Sequence, residues 1–167
     1  MPDALMAAAS PDRTSVSPPH SGAAGAATVL AFYFGLARIG VAVGDARLRT
    51  VHPLPAVHVA GDAGRFAAIG ELLAEWQPAR LVVGVPFADA GAEHPTARRA
   101  ERFARRLEGR FRLPVTRIDE RLSSVEAEGR LREAAGARRA AKLSRDRRLD
   151  SYAAQVLLEQ FFSEAPQ

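Results

Sequence analysis

The sequence predicts an α/β domain built on a mixed five-stranded sheet, in which the first three strands are antiparallel and the last two are parallel. Three strand-like apolar runs follow one another from Thr28 with no helical segment between them. Helical and strand-like segments then alternate, which is typical of parallel strands joined by crossover helices. A chain of 167 residues is long enough for one sizeable core and too short for two comfortable domains. We therefore expect a single domain with helices flanking the sheet.

The first three strands are indicated by apolar runs separated by short turns. TVLAFYF begins at Thr28, is bounded by Gly35 and predicts a buried first strand. RIGVAVG, residues 38–44, follows a three-residue turn and should form a hairpin with the first strand. The third run, TVHPLPAVHVA, contains Pro53 and Pro55. Proline cannot donate to a strand ladder, so this run should be an edge strand or contain a bulge.

Helices and buried strands should then alternate. Asp62 can cap a helix that ends before Pro78. Its apolar residues recur at helical spacing: Phe66, Ile69, Leu73 and Trp76. ARLVVGVP is continuously apolar, as expected of a parallel strand buried on both faces.

A second helix should follow the loop FADAGAEHP. Its buried stripe is Ala97, Ala100, Phe103, Ala104 and Leu107, and its outer faces carry Arg98, Arg99, Arg102, Arg105 and Arg106. Those arginines form either a solvated face or a phosphate-facing patch. LPVTRID predicts the fifth strand, and ERLSSVEAEGRLREA predicts a helix capped by Ser123 or Ser124. The basic segment AGARRAAKLSRDRR should be an exposed loop before a last helix at about 147–162.

Composition limits the chemistry. The chain has no cysteine, so disulfides and thiolate ligands are excluded and any metal must be held by oxygen or imidazole. The net charge is +4, and all but one of the 23 basic residues are arginine, which favours a polyanionic partner. Residues 1–27 are rich in Ala, Ser and Pro and should be a disordered extension rather than a signal peptide. We expect the domain to span residues 28–162, followed by a flexible tail at 163–167.

Three places put polar groups where the site of such a sheet should lie, beyond the carboxyl ends of its central strands. They are Tyr33 at the end of strand one, the run Asp119-Glu120-Arg121 at the end of strand five, and Asp150. Asp150 shares a helix face with the apolar residues Ala153, Ala154, Leu157 and Phe161. A buried carboxylate must pair, bind a metal or become protonated. The alternatives are a helix-start aspartate favoured by the dipole, and pairing of the strand-five carboxylates with Arg117 or Arg121.

Four runs of this sequence, LAFYFGLARIGVAVGD, LVVGVPFADAG, IDERLSSVEAE and RLDSYAAQVLLEQFF, resemble the successive motifs of the bacterial YqgF family. This is a family of RuvC-like Holliday junction resolvases, also described as pre-16S rRNA nucleases. The resemblance covers Val29 to Phe162. It implies a ribonuclease-H-like fold and a cytoplasmic hydrolase that helps to process the 5′ end of the 16S rRNA precursor. Cleavage of the phosphodiester would depend on Mg²⁺ or Mn²⁺. The implied partner is RNA, in pre-16S rRNA or a pre-ribosomal particle, with branched DNA as the alternative.

The resemblance also implies the site residues. Glu120 matches the acidic position of the DER motif and Asp150 that of the final helix, so both are expected catalytic metal ligands. Asp119 neighbours the site but should point the other way by strand alternation. Arg121 would hold a carboxylate or the scissile phosphate. The candidate RNA contacts are Arg38, Lys142 and Arg145.

Tyr33 departs from the family pattern, which has an aspartate before Phe-Gly. A phenol stays protonated near neutral pH and cannot bridge two ions as a carboxylate does. Asp45, at the opposite end of strand two, should not replace that aspartate. Three explanations stay open: a substitution introduced into the gene, a natural loss of catalysis, or an altered site that turns over slowly. We expect weak metal binding and a large loss of nuclease activity. The alternative is a non-catalytic RNA- or ribosome-binding module of the same fold.

The histidines should not contribute to the site. His94 is expected in a solvated loop. His52 and His58 are separated by an even number of residues, which predicts that they share one face of the third strand. In this topology they should lie too far from the acidic motifs to act as ligands.

Overall fold

The computed structural model describes residues 27–35, 37–58, 61–85, 95–119 and 148–164, together with Gly129. The strands are β1 (Thr28–Phe34), β2 (Ile39–Asp45), β3 (Thr50–Val57), β4 (Arg80–Val85) and β5 (Val115–Asp119). The helices of this part are α1 (Asp62–Trp76), α2 (Pro95–Phe111) and α3 (Arg148–Glu164). The helix and basic loop predicted between β5 and α3 lie outside the described residues, apart from the helical Gly129.

The two expected terminal segments are described only in part. Residues 1–26 and 165–167 lie outside the described residues. Ala27, which was expected in the extension, is buried in the core. Ser163 and Glu164, which were expected in the tail, continue α3.

The five strands form one sheet in the order β3-β2-β1-β4-β5. β1 pairs antiparallel with β2, and β2 pairs antiparallel with β3. β4 is parallel to both of its neighbours, β1 and β5. These directions confirm the predicted ribonuclease-H-like mixed sheet. β3 is an edge strand, as its prolines predicted, because an edge tolerates a missing ladder donor.

Helices cover both faces of the sheet, and the two apolar clusters show which residues point where. α1 and α2 pack against the face that carries Leu30, Phe32 and Phe34 of β1. α3 packs against the other face, which carries Val29 and Ala31. The predicted apolar stripes of α1 and α2 are confirmed, except that Ala97 is only partly buried. In α3, Phe161 of the predicted apolar face is also only partly buried. No helix in the described part of the chain combines the length and apolar character that crossing a membrane would need.

The expected cap of α1 is wrong. Gly61 is the N-cap residue, with φ of 85° and no side-chain cap hydrogen bond. Asp62 lies in the first turn, where its Oδ2 accepts a hydrogen bond of 2.6 Å from Nη1 of Arg106 on α2. This hydrogen bond holds the pKa of Asp62 below its ordinary value. Asp62 lies one position after the N-cap, and its carboxylate pairs with Arg106 instead of capping the helix.

Candidate active site

Tyr33 lies at the carboxyl end of β1, the central strand of the sheet. Its register partners are glycines on both sides, Gly40 of β2 and Gly84 of β4. Neither neighbour has a side chain, so the paired positions on β2 and β4 leave space beside the Tyr33 ring. The ring packs on the α3 face, in a small cluster with Ala153 and Val156. The position that the family resemblance assigns to a carboxylate is therefore partly buried beneath α3.

Asp150, in the first turn of α3, lies directly over the same part of the sheet. A Cβ added to Gly40 would overlap the backbone carbonyl of Asp150 and lie 2.9 Å from its Cβ. The start of α3 is also fixed to the edge strand, because buried Ser151 donates a hydrogen bond of 2.6 Å to the carbonyl of Leu54. Asp150 and Tyr33 thus flank one glycine, and the fold brings these two predicted site positions together.

The Asp150 carboxylate is paired with a cation, and one of its oxygens still accepts no hydrogen bond from the described residues. Nε of Arg38 lies 3.0 Å from Oδ2 of Asp150, where the two side chains are 31% and 19% exposed. The contact lacks hydrogen-bond geometry, so this buried Oδ2 accepts no hydrogen bond from the residues that the structure describes. Burial raises the pKa of Asp150, and the charges of Arg38 and His58 oppose that rise. Arg38, which was expected as an RNA contact, therefore lies inside the candidate site.

His58 corrects the expectation that both strand histidines are remote from the site. β3 carries one extra residue relative to β2 between Leu54 and Val57, which is a β-bulge. The bulge reverses the alternation, so His52 and His58 point to opposite faces. His58 lines a cavity of about 410 Å³ at the first turn of α3. It is close enough for its charge to act on Asp150.

The strand-five residues divide between the two faces. Arg117 forms ion pairs with Glu101 and Glu108 of α2, so it faces that helix. Ile118 packs in the α3 cluster. Asp119 comes next, and strand alternation still predicts that its side chain points to the α2 side. Four further site residues named from the sequence lie outside the described residues: Glu120, Arg121, Lys142 and Arg145.

The donors that the structure describes do not fit a pair of divalent ions. No group of three or more His, Asp or Glu among the described residues could hold a metal. Asp150 offers one carboxylate oxygen that accepts no hydrogen bond from the described residues, but the guanidinium of Arg38 lies beside it. Tyr33 offers a phenol, whereas Mg²⁺ and Mn²⁺ favour carboxylates. Asp45 cannot compensate, because it pairs with Thr28 at the opposite end of β1.

Two features of this site could not be predicted from the sequence. The close approach at Gly40 had no local signal, since a glycine inside a strand also marks a bulge or a bend. The pairing of Arg38 with Asp150 joins residues that are distant in the chain. The charge pattern did signal that a carboxylate on an apolar helix face needs a partner. It could not say which cation would supply it.

The chain is similar to proteins that are named as nucleases. A family profile described as "RuvX: Holliday junction resolvase" matches residues 27–164. A relative from Dechloromonas aromatica, curated as "Putative pre-16S rRNA nuclease", is 50% identical over 139 residues, which are 83% of this chain and 92% of the relative. A protein of the same name from Burkholderia vietnamiensis is 49% identical over 138 residues, covering 83% and 90% of the two chains.

Among solved structures, T. thermophilus RuvC in complex with a Holliday junction substrate covers 81% of this chain and 92% of its own, with a TM-score of 0.47 and 15% identity. The profile and the curated relatives each span more than four fifths of the sequence. They confirm the resemblance carried by the four motifs, and the chain belongs to the RuvX (YqgF) family.

Proposed function

We propose that this chain acts on RNA as a metal-dependent phosphodiester hydrolase whose turnover is strongly reduced by Tyr33. The observation that carries the proposal is the position of Tyr33, which pairs with Gly40 of the neighbouring strand and lies beneath α3, beside Asp150. The substrate class follows the name of the relatives, pre-16S rRNA, and the proposed location is the cytoplasm. Glu120 and Asp150 are the proposed ligands of Mg²⁺ or Mn²⁺, and Arg121 is their proposed neighbour.

The chemistry of Tyr33 explains the reduced turnover. A phenol has a reference pKa of about 10, so it stays neutral where a carboxylate is charged. It offers one oxygen, and its ring fills the space that a short carboxylate would leave for an ion. Arg38 adds a positive charge 3.0 Å from the remaining carboxylate, which opposes a second cation there. A bound divalent ion would supply an activated water and stabilise the leaving oxygen.

The test is a cleavage assay on a pre-16S 5′ leader with Mg²⁺ or Mn²⁺, comparing the unchanged chain with Tyr33→Asp. We expect Tyr33→Asp to be faster by roughly 100-fold or more, because several kcal/mol of charge stabilisation depend on the metal. Tyr152→Asp is the matched control. It makes the same change at the other tyrosine of the small α3 cluster, on the helix instead of the strand.

Tyr152→Asp should stay as slow as the unchanged chain. Equal rates for the unchanged chain and Tyr33→Asp would sink the proposal that Tyr33 limits turnover. A gain in both variants would mean that any added carboxylate near α3 suffices.

A second candidate is a non-catalytic RNA- or ribosome-binding module. The ion pair between Arg38 and Asp150 favours it, because the pair gives the carboxylate a partner without any metal. This candidate predicts salt-sensitive RNA binding with no cleavage by either the unchanged chain or Tyr33→Asp. Restored cleavage in Tyr33→Asp would favour the impaired enzyme.

A further inference from the structure

The charges of α2 are separated onto two flanks of the helix. Both of its glutamates, Glu101 and Glu108, face β5, where Arg117 pairs with them. At 3.6 residues per turn, most of the arginines lie on the other side of the apolar stripe, towards α1. They are Arg99, Arg102, Arg106 and Arg110, whereas Arg98 lies opposite the apolar stripe. Among the residues of α2, this flank therefore carries arginines and no glutamate.

Two of these arginines are held by α1. Arg106 is paired with Asp62, and its guanidinium lies 4.7 Å from the ring centre of Phe66. Arg110 lies over the same ring at 4.4 Å. These contacts hold Arg106 and Arg110 against α1. Three further arginines of α2 lie farther from α1 and are all exposed: Arg98, Arg99 and Arg102.

These three arginines line two adjoining cavities. One, of about 340 Å³, is lined by Pro95, Arg98, Arg99 and Arg102. The other, of about 260 Å³, adds Arg65 of α1 to Arg99 and Arg102, and has Phe34 on its floor. We call this surface the arginine groove, defined by Arg65, Arg98, Arg99 and Arg102.

The arginine groove opens at the same edge of the sheet as the candidate active site, but on the other face. Phe34 on its floor follows Tyr33 in β1, and the two side chains point to opposite faces. α2 comes after parallel strand β4, so its first turns lie near the carboxyl ends of the strands. A chain lying in the groove could therefore continue over this edge towards Tyr33 and Asp150.

We propose that the arginine groove binds the phosphate backbone of a single-stranded nucleic acid that reaches the candidate active site over the edge of the sheet. The proposal rests on the proposed function in taking RNA as the polyanion. Guanidinium groups match phosphate oxygens in a bidentate manner. Arg98 and Arg102 are one helical turn apart, roughly 5–6 Å between Cβ atoms, which suits a regular row of phosphates.

The test measures binding of a fluorescein-labelled oligouridine to the full chain in EDTA over a range of salt concentrations. The groove variant is Arg98→Gln/Arg99→Gln/Arg102→Gln. Its matched control is Arg47→Gln/Arg105→Gln/Arg112→Gln, which removes the same charge from exposed arginines outside the groove. All six side chains are exposed, so both variants should fold, and their thermal midpoints check this.

We expect the groove variant to lose roughly tenfold or more in affinity, and its salt slope to fall by about 2, since each lost phosphate contact removes about 0.7 for a single strand. The control should lose less than about threefold. Equal losses in the two variants, or no loss in either, would overturn the proposal. So would competition by polyglutamate as strong as that by unlabelled oligouridine, which would indicate an acidic protein partner. EDTA removes any metal, so the result does not depend on whether Tyr33→Asp cleaves RNA.

Discussion

Gly40 lies where β2 passes the first turn of α3, beside Tyr33 in the sheet. A methyl group at this position would overlap the backbone of Asp150, which cannot move as a flexible side chain could. We expect Gly40→Ala to lower the free energy of unfolding by roughly 2–3 kcal/mol or more, because overpacking forces the backbone to shift. Urea denaturation of the full chain measures this change.

Gly109→Ala is the control for Gly40→Ala, since it makes the same change on α2 where no atom lies within 4 Å of the added carbon. It should stabilise the chain by about 0.5–1 kcal/mol, as alanine does in place of a helical glycine. If Gly40→Ala were as stable as Gly109→Ala, α3 would not be seated on β2 as the structure has it. The position of Asp150 relative to Tyr33 would then need revision.

At the scale of single residues, the sequence was enough to select Tyr33 and Asp150 but not to describe their surroundings. Asp150 stood out because a charge on an apolar helix face is costly unless it is compensated. Its partner Arg38 and its close neighbour Gly40 come from β2 and the turn before it, more than 100 positions away in the chain. The pattern of apolar and polar residues along one element predicts which of its side chains are buried. It does not predict contacts between distant elements, because these depend on how the elements pack.

At the scale of elements, α2 is joined to β5 through Arg117, which pairs with Glu101 and Glu108. The hydrogen bond from Arg117 lowers the pKa of Glu101 from its ordinary 4.5, with burial opposing it. The folded state therefore favours the ionised form. The stability that this pair contributes is present above the ordinary pKa and is lost as the pH falls through the lowered one.

Glu101→Gln should therefore destabilise the chain by about 0.5–1 kcal/mol at pH 7, a value kept small because both side chains are partly exposed. The difference from the unchanged chain should shrink as the pH falls below 4.5, the ordinary glutamate value. Urea denaturation at several pH values measures it. Glu75→Gln, at an exposed position of α1, is the control and should change the free energy of unfolding by less than about 0.5 kcal/mol. A constant difference across the pH range would contradict the assignment to the ion pair.

The third strand shows why the periodicity of an element predicts its existence better than the direction of its side chains. Pro53 and Pro55 correctly indicated an edge strand or a bulge, and β3 has both features. The position of the bulge was not encoded in the alternation of residues. One extra residue after Leu54 was enough to turn His58 towards α3 and the candidate site.

At the scale of the whole molecule, strand order and direction could be predicted because they follow from connection lengths. A short turn between β1 and β2 requires them to be antiparallel, and a helix between β4 and β5 allows those two strands to be parallel. The two-faced sheet then placed Tyr33 and Asp150 on the same side. What remained unpredictable was the electrostatic state of that side, since it depends on Arg38 and on His58 beyond the bulge.

The stability of the whole chain offers a test of metal binding that does not require cleavage. A ligand that binds only the folded state raises its stability by RT ln(1 + [L]/Kd), or about 1.4 kcal/mol when the free ion is at ten times Kd. For a chain of this size that is a rise of roughly 3–6 °C in Tm. We expect millimolar Mn²⁺ to produce such a rise in Tyr33→Asp and little change in the unchanged chain.

Asp150→Asn in the Tyr33→Asp background is the control for this measurement, because it removes the oxygen that accepts no hydrogen bond from the described residues. The rise in Tm should disappear, since a neutral amide attracts a divalent ion far less than a carboxylate does. If Mn²⁺ raised the Tm of the unchanged chain as much as that of Tyr33→Asp, the phenol would not prevent metal binding. Reduced turnover would then have to come from the position of the substrate. The residues to test next would be Arg38 and those of the arginine groove.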